Sequence, residues 1–135
     1  GNAQAYGDAR ICGNAKVFGD ARVYGNARVY DNARVSGNAQ AYDNAQVFDN
    51  AQVFDNARVF NNSWVSGNAQ VFNNARVFNN SWVFGDAQIY GDARICGNAK
   101  VFGDARVFSN ARVSGNAQVF NNAMKSKKAI AWAIK

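Results

Sequence analysis

The chain contains no His, no Glu and no Thr, and its nine acidic residues are all Asp. Without His or Glu it lacks the side chains most often used as a general base. The Cys, Lys and Asp that remain pair no nucleophile with an orienting base, so we expect neither a catalytic site nor a cofactor. Only two cysteines occur, Cys12 and Cys96, too few for a disulfide framework. No metal-ligand spacing is present, and the corner pairs Asp31 with Asp49 and Asp86 with Asp104 match no calcium-repeat motif.

What the chain has is a repeat without exceptions. Residues 1–120 form twenty consecutive hexads, each reading Gly/Asp/Asn/Ser, Asn/Asp, Ala/Ser, Arg/Gln/Lys/Trp, Val/Ile/Ala and Tyr/Phe/Ser/Cys. All twelve Gly occupy position one, and all ten Phe and five Tyr occupy position six. Position three is Ala except at Ser63 and Ser81. Such sorting requires each position to meet a single environment, repeated along a stack.

Apolar residues two apart, followed by a gap of four, do not follow a helical turn of 3.6 residues. They fit a very short strand, in which the residues at positions three and five share the inward face while positions four and six point outward. Positions one and two then make the bend, because Gly and Asn accept the positive φ of a corner.

Hexads such as GNARVY (25–30), GNAKVF (97–102) and GDARVF (103–108) resemble the hexapeptide repeat of left-handed parallel β-helix proteins, and more narrowly a bacterial and phage subgroup with tandem Gly-Asn-Ala-Arg-Val-Tyr units. The resemblance covers residues 1–120. It implies an all-β, triangular parallel β-helix, or solenoid, in which three hexads make one coil. Its left hand is likewise what the resemblance implies and departs from the usual right-handed crossover. The resulting 18-residue coil has one internal check: Trp64 and Trp82, each in an Asn-Asn-Ser-Trp-Val segment, would be neighbours on successive rungs. Against it, residues 7–24 recur almost unchanged at 91–108, an offset divisible by 12 but not by 18. We read that recurrence as duplication in units of hexads and expect about 6.7 coils, a prism roughly 30 Å long.

A core of Val and Ala is thin, so stability must come in part from hydrogen bonds between coils, corner Asn ladders and stacked aromatics. With three hexads to a coil, Tyr24, Tyr42, Phe60 and Phe78 form one outward column, and Phe54, Phe72, Tyr90 and Phe108 another. These columns serve as ladders and also offer surfaces for lateral association. Arg58, Arg76, Arg94 and Arg112 form a basic column. Within the hexads, however, eleven Lys and Arg face nine Asp, so a solvated, charge-balanced face is the simpler reading and nucleic acid is disfavoured as a partner. Trp64 and Trp82 are the local exception and a candidate carbohydrate-stacking pair. Cys12 and Cys96 would lie about 4.7 coils apart, roughly 20 Å or more, too far for a disulfide within one chain.

Many proteins with the fold that the resemblance implies are acyltransferases with a His base, a substrate held between coils and an inserted loop. This chain has no His and no interruption of its hexads, so that activity does not carry over. Ice binding, another use of flat β-solenoid faces, is marked by rows of Thr that are absent here. We therefore expect a non-enzymatic structural or self-assembling element, such as a bacterial or phage surface, fibre or spacer module that associates laterally or end to end. A glycan-binding module is the alternative. Residues 121–135 form a separate basic and apolar segment, carrying four of the fifteen Lys and Arg, and are expected to cap the stack or begin a further segment. This segment is too short to span a bilayer, although it could touch a membrane surface. Gly1 enters the repeat without an initiator Met or a signal peptide, as expected of an excised or processed chain.

Overall fold

A computed structural model of the chain describes residues 3–120 and the backbone of the strand Met124–Lys125. Positions four and five of every hexad form a two-residue strand, from Gln4–Ala5 through Gln118–Val119. Every strand pairs in parallel with the strand three hexads along, as in Arg58 with Arg76, Trp64 with Trp82 and Gln70 with Gln88. The strands thus sort into three seven-stranded parallel sheets, one per side of a three-sided stack. One coil is therefore three hexads long, and the recurrence of residues 7–24 at 91–108 simply moves a block of hexads to another side.

The backbone explains why so short a strand persists. At positions two, four and six the N–H donates to a carbonyl of the next rung: Asp8 to Gly25 at 2.9 Å, Arg10 to Ala27 at 3.0 Å and Cys12 to Val29 at 3.0 Å. Position three turns back to close the corner, as where the Ala27 N–H donates to the Tyr24 carbonyl at 3.3 Å. Hydrogen bonding therefore runs along the axis and continues through the corners, which loops seldom manage.

All the bending is concentrated at position one. There φ lies between 56° and 68°, whether the residue is Gly25 at 66°, Asp31 at 60°, Asn61 at 59° or Ser109 at 56°. Gly meets this left-handed geometry without steric cost, whereas Asp and Asn are among the side-chain-bearing residues that adopt it most often. An acidic corner also gains an acceptor for the next rung: Asp49 Oδ2 accepts from the Gly67 N–H at 3.1 Å, and Asp55 Oδ2 from the Asn73 N–H at 3.2 Å.

The core is a single stripe of position-three Ala and position-five Val or Ile. From Ala21 to Val119 these residues are buried at 0–1% exposure, while Ile11 and Val17 in the first coil are only partly covered. Ser63 and Ser81 take the place of Ala without leaving an unpaired group. Ser63 Oγ donates to the Phe60 carbonyl at 2.8 Å and lies 3.1 Å from the Val77 carbonyl; Ser81 does the same with Phe78 and Ile95 at 2.8 and 3.3 Å.

Position two stacks into Asn ladders. Asn14, Asn32, Asn50 and Asn68 each donate an amide N–H to the equivalent residue of the next rung, ending on the Asp86 carboxylate at 3.1 Å. At a second corner, Asn38, Asn56 and Asn74 end likewise on Asp92 at 3.2 Å. The amide dipoles in such a run align, and an anion sits at its positive end, as at a helix N-terminus. The cap expected over residues 121–135 lies outside the described residues, apart from the pairing of Met124–Lys125 with Arg106–Val107.

Candidate functional site

Because position four points outward from the centre of a strand, each side of the stack displays one row of position-four residues. The first face carries Gln4, Arg22, Gln40, Arg58, Arg76, Arg94 and Arg112 in register. The second carries Arg10, Arg28, Gln46, Trp64, Trp82, Lys100 and Gln118. The third carries Lys16, Arg34, Gln52, Gln70, Gln88 and Arg106. The faces share one backbone but differ in chemistry: cationic, indole-bearing and amide-rich in the middle of the stack.

Position six follows the strand and meets the bend, so its rings lie at the corners and not on the faces. Tyr6, Tyr24, Tyr42, Phe60 and Phe78 stack at successive centroid distances of 5.0, 4.9, 4.9 and 4.9 Å, with planes within 2° of parallel. Phe54, Phe72, Tyr90 and Phe108 form the second column at 4.8, 4.9 and 5.2 Å. Both columns pair the rings expected from an 18-residue coil, but those rings are half-buried and not fully outward-facing. Each covers its neighbour's face, leaving mainly edges at the surface; Tyr6 and Phe18, near the start of the chain, are the most open at 45% and 48%.

The third corner holds Tyr30 on Phe48 at 5.0 Å and Phe84, Phe102 and Phe120 at 4.9 and 5.1 Å. Counting by coils identifies these rings as readily as the other two columns. Ser66 interrupts this corner, leaving Phe48 without a ring above it. Trp64, two residues earlier on the same outward side, meets Phe48 in a T-shaped contact at 6.2 Å and 74°.

Trp64 and Trp82 come together as expected, 4.8 Å apart and 1° from parallel. They stand as a stacked pair, not side by side with their faces to solvent. Trp64 covers one face of Trp82, and Lys100 Nζ sits over the Trp82 ring 4.8 Å from its centroid. Beside the pair runs a shallow trough walled by Asn44, Asn62, Asn80 and Asn98, with Gln46 and Lys100 at its ends. The trough therefore offers indole edges and amides.

Two tyrosines add polar tips to the corners. The Tyr24 hydroxyl donates to Gln40 Oε1 and that of Tyr30 to Gln46 Oε1, each at 3.3 Å. Burial, followed by the neighbouring Tyr42 and Tyr6 phenols, raises the Tyr24 pKa; burial, followed by Asp31 and Asp49, raises that of Tyr30. Cys12 and Cys96 are free thiols, and burial pushes the Cys96 pKa up despite Arg112 and Arg94 nearby. Among the described residues, no group of three or more His, Cys, Asp or Glu is placed to hold a metal ion. The adjacent Asp31 and Asp49 act in turn chemistry: Asp31 Oδ2 accepts from the Asp49 N–H at 3.3 Å.

Neither curated proteins nor solved structures yield a match to the chain. The family model of the YdcK beta solenoid repeat matches residues 9–25, 21–37, 27–43, 51–67, 69–85 and 87–100. These segments span more than half of the chain, and the chain accordingly belongs to the YdcK beta solenoid repeat family.

Proposed function

We propose that the chain is a non-enzymatic structural element, a rigid spacer or fibre module that associates with copies of itself. The observation that carries this reading is continuity along the axis. Backbone hydrogen bonds, Asn ladders and ring columns all connect one rung to the next, so bending the stack would break several of them at once. Such an arrangement suits a part whose task is to hold a length. The half-buried corner columns still present ring edges in rows, which favours lateral contact between rods. Membership of the left-handed hexapeptide-repeat group of bacteria and phages belongs to the same proposal and is supported by the strict hexads.

Light scattering with electron microscopy on purified chain tests this reading. Association that grows with concentration, with particles elongated along one axis, is expected; a strictly monomeric particle at high concentration overturns the self-association. No turnover of an acyl-coenzyme A donor is expected.

The trough beside Trp64 and Trp82 favours a second reading, a carbohydrate-binding module. Stacking of a sugar requires an open ring face, and Trp82 has Trp64 on one side and Lys100 on the other. That geometry makes the structural reading the stronger of the two. Glycan binding unchanged in Trp64→Ala and Trp82→Ala variants would remove the alternative.

A further inference from the structure

The four arginines of the first face raise a physical problem that the spacer reading does not resolve. Arg58, Arg76, Arg94 and Arg112 are in-register partners on successive rungs, one guanidinium per rung at a strand spacing of about 4.8 Å. Like charges directly opposite each other across a sheet are destabilising. Elsewhere the stack avoids such runs by placing Gln at position four, as at Gln40 on this face and at Gln52, Gln70 and Gln88 on the third.

Nor do local carboxylates relieve the charge. No ion pair ties any of the four to a carboxylate among the described residues. The hexads bearing the row contain two acids, Asp55 and Asp92, and both are engaged in the corner: Asp55 Oδ2 accepts from the Asn73 N–H, and Asp92 Oδ1 from the Asn74 amide. Four cations against two acids leave this strip positive, with Arg58, Arg94 and Arg112 exposed and Arg76 half-buried. Beside them a shallow groove runs along the axis, walled by Arg76, Arg94 and Arg112 on one side and Asn74, Asp92 and Asn110 on the other.

We propose that this row is a binding site for a linear anionic polysaccharide, with carboxylates presented one after another along an extended chain. Arg offers a planar fork that matches a carboxylate in a bidentate manner, which a point-charge ammonium does not. Successive sugars of an extended two-fold polyuronate face opposite ways, so the carboxylates on one side of the chain recur every second sugar and meet every second arginine, as Arg58 with Arg94 or Arg76 with Arg112. A strand of duplex DNA rises about 3.4 Å along the helix axis per phosphate while winding around that axis, so its phosphates leave a straight row after a few rungs. The neighbouring Asn amides supply donors and acceptors for sugar hydroxyls.

The site is separable from the spacer reading, because the test reads ligand binding and not assembly. Oligogalacturonate is titrated into the full chain and into two variants with equal loss of charge. One carries Arg58→Gln, Arg76→Gln, Arg94→Gln and Arg112→Gln; the other carries Arg10→Gln, Arg28→Gln, Arg34→Gln and Arg106→Gln on the remaining faces. Gln is native at this position on all three faces, so both variants keep the fold, as circular dichroism will confirm. The proposal expects salt-sensitive binding that falls more than about tenfold in the first variant and less than about threefold in the second, since non-specific attraction would weaken equally in both. It is overturned if the chain does not bind, if the two variants lose affinity equally, or if duplex DNA binds more tightly and depends on the same four arginines.

Discussion

Trp82 stacks on Trp64 with centroids 4.8 Å apart and planes 1° from parallel, and Lys100 Nζ lies over the Trp82 ring. Each indole shields a face of the other from water. Trp64→Gln or Trp82→Gln should each shift the emission of the remaining partner to longer wavelength, while leaving the fold intact at a cost of about 1 kcal/mol, since Gln occupies the same position at Gln46. Fluorescence spectra of the two variants beside the parent check this; emission unchanged in both would contradict the stacking.

The corners predict an unusual order of substitutions. At Gly67, φ is +65° and an added Cβ would come within 2.8 Å of the Gly85 nitrogen. Gly67→Ala should destabilise by about 1–2 kcal/mol. Gly67→Asn should cost less, because Asn61 and Asn79 adopt nearly the same φ with a side chain present and an amide oxygen at such a corner can accept from the N–H of the next corner, as Asp49 Oδ2 does from Gly67 at 3.1 Å. Denaturant midpoints of the two variants give the comparison.

Core substitutions should depend on the residue and not on the side of the stack. Val71 is fully buried, and Val71→Ala should cost roughly 2–3 kcal/mol by opening a cavity that the stiff rungs cannot close. Ser63→Ala should change stability by less than about 1 kcal/mol, because the carbonyls of Phe60 and Val77 have the roles they play in Ala hexads and no buried group is orphaned. Thermal unfolding of both variants tests the contrast.

Alkaline stability follows from the corner phenols. Tyr24 and Tyr30 have folded pKa values above the ordinary 10.0, first through burial and then through neighbouring phenols or carboxylates. A group whose folded pKa is raised contributes stability that is fully present below its unfolded pKa and is lost as pH rises through the folded one. Stability should therefore hold through neutral pH on account of these groups and decline above about pH 10. Tyr24→Phe and Tyr30→Phe together should reduce that decline, as measured by unfolding across the alkaline range.

Much of this architecture was legible because each hexad position meets one environment. Ala and Val spaced two apart marked the core, Gly and Asn the corners, and the spacing of Trp64 and Trp82 selected the 18-residue coil over the 12-residue one. The stacking of Tyr24 on Tyr42 was expected from the coil length, but the depth of the rings was not legible: position six sits where the strand gives way to the bend, so the columns lie half-buried at the corners and do not stand fully outward. The Trp64 contact with Phe48 depended on Ser66 leaving a gap one rung above Phe48, a signal present in the sequence but visible only after counting by coil. The Asn68-to-Asp86 end of one ladder follows from residue type, since a carboxylate only accepts, whereas the common direction of the amides before it came from side-chain geometry.

A three-sided stack with a fixed rise per rung should behave as one rigid rod. Cys12 and Cys96 provide native attachment points for spin labels, and pulsed electron spin resonance between them measures the separation directly. A single narrow distance distribution centred at roughly 20–30 Å is expected, the axial rise of the intervening rungs plus the step between corners. A broad distribution, or one centred well outside that range, would contradict it.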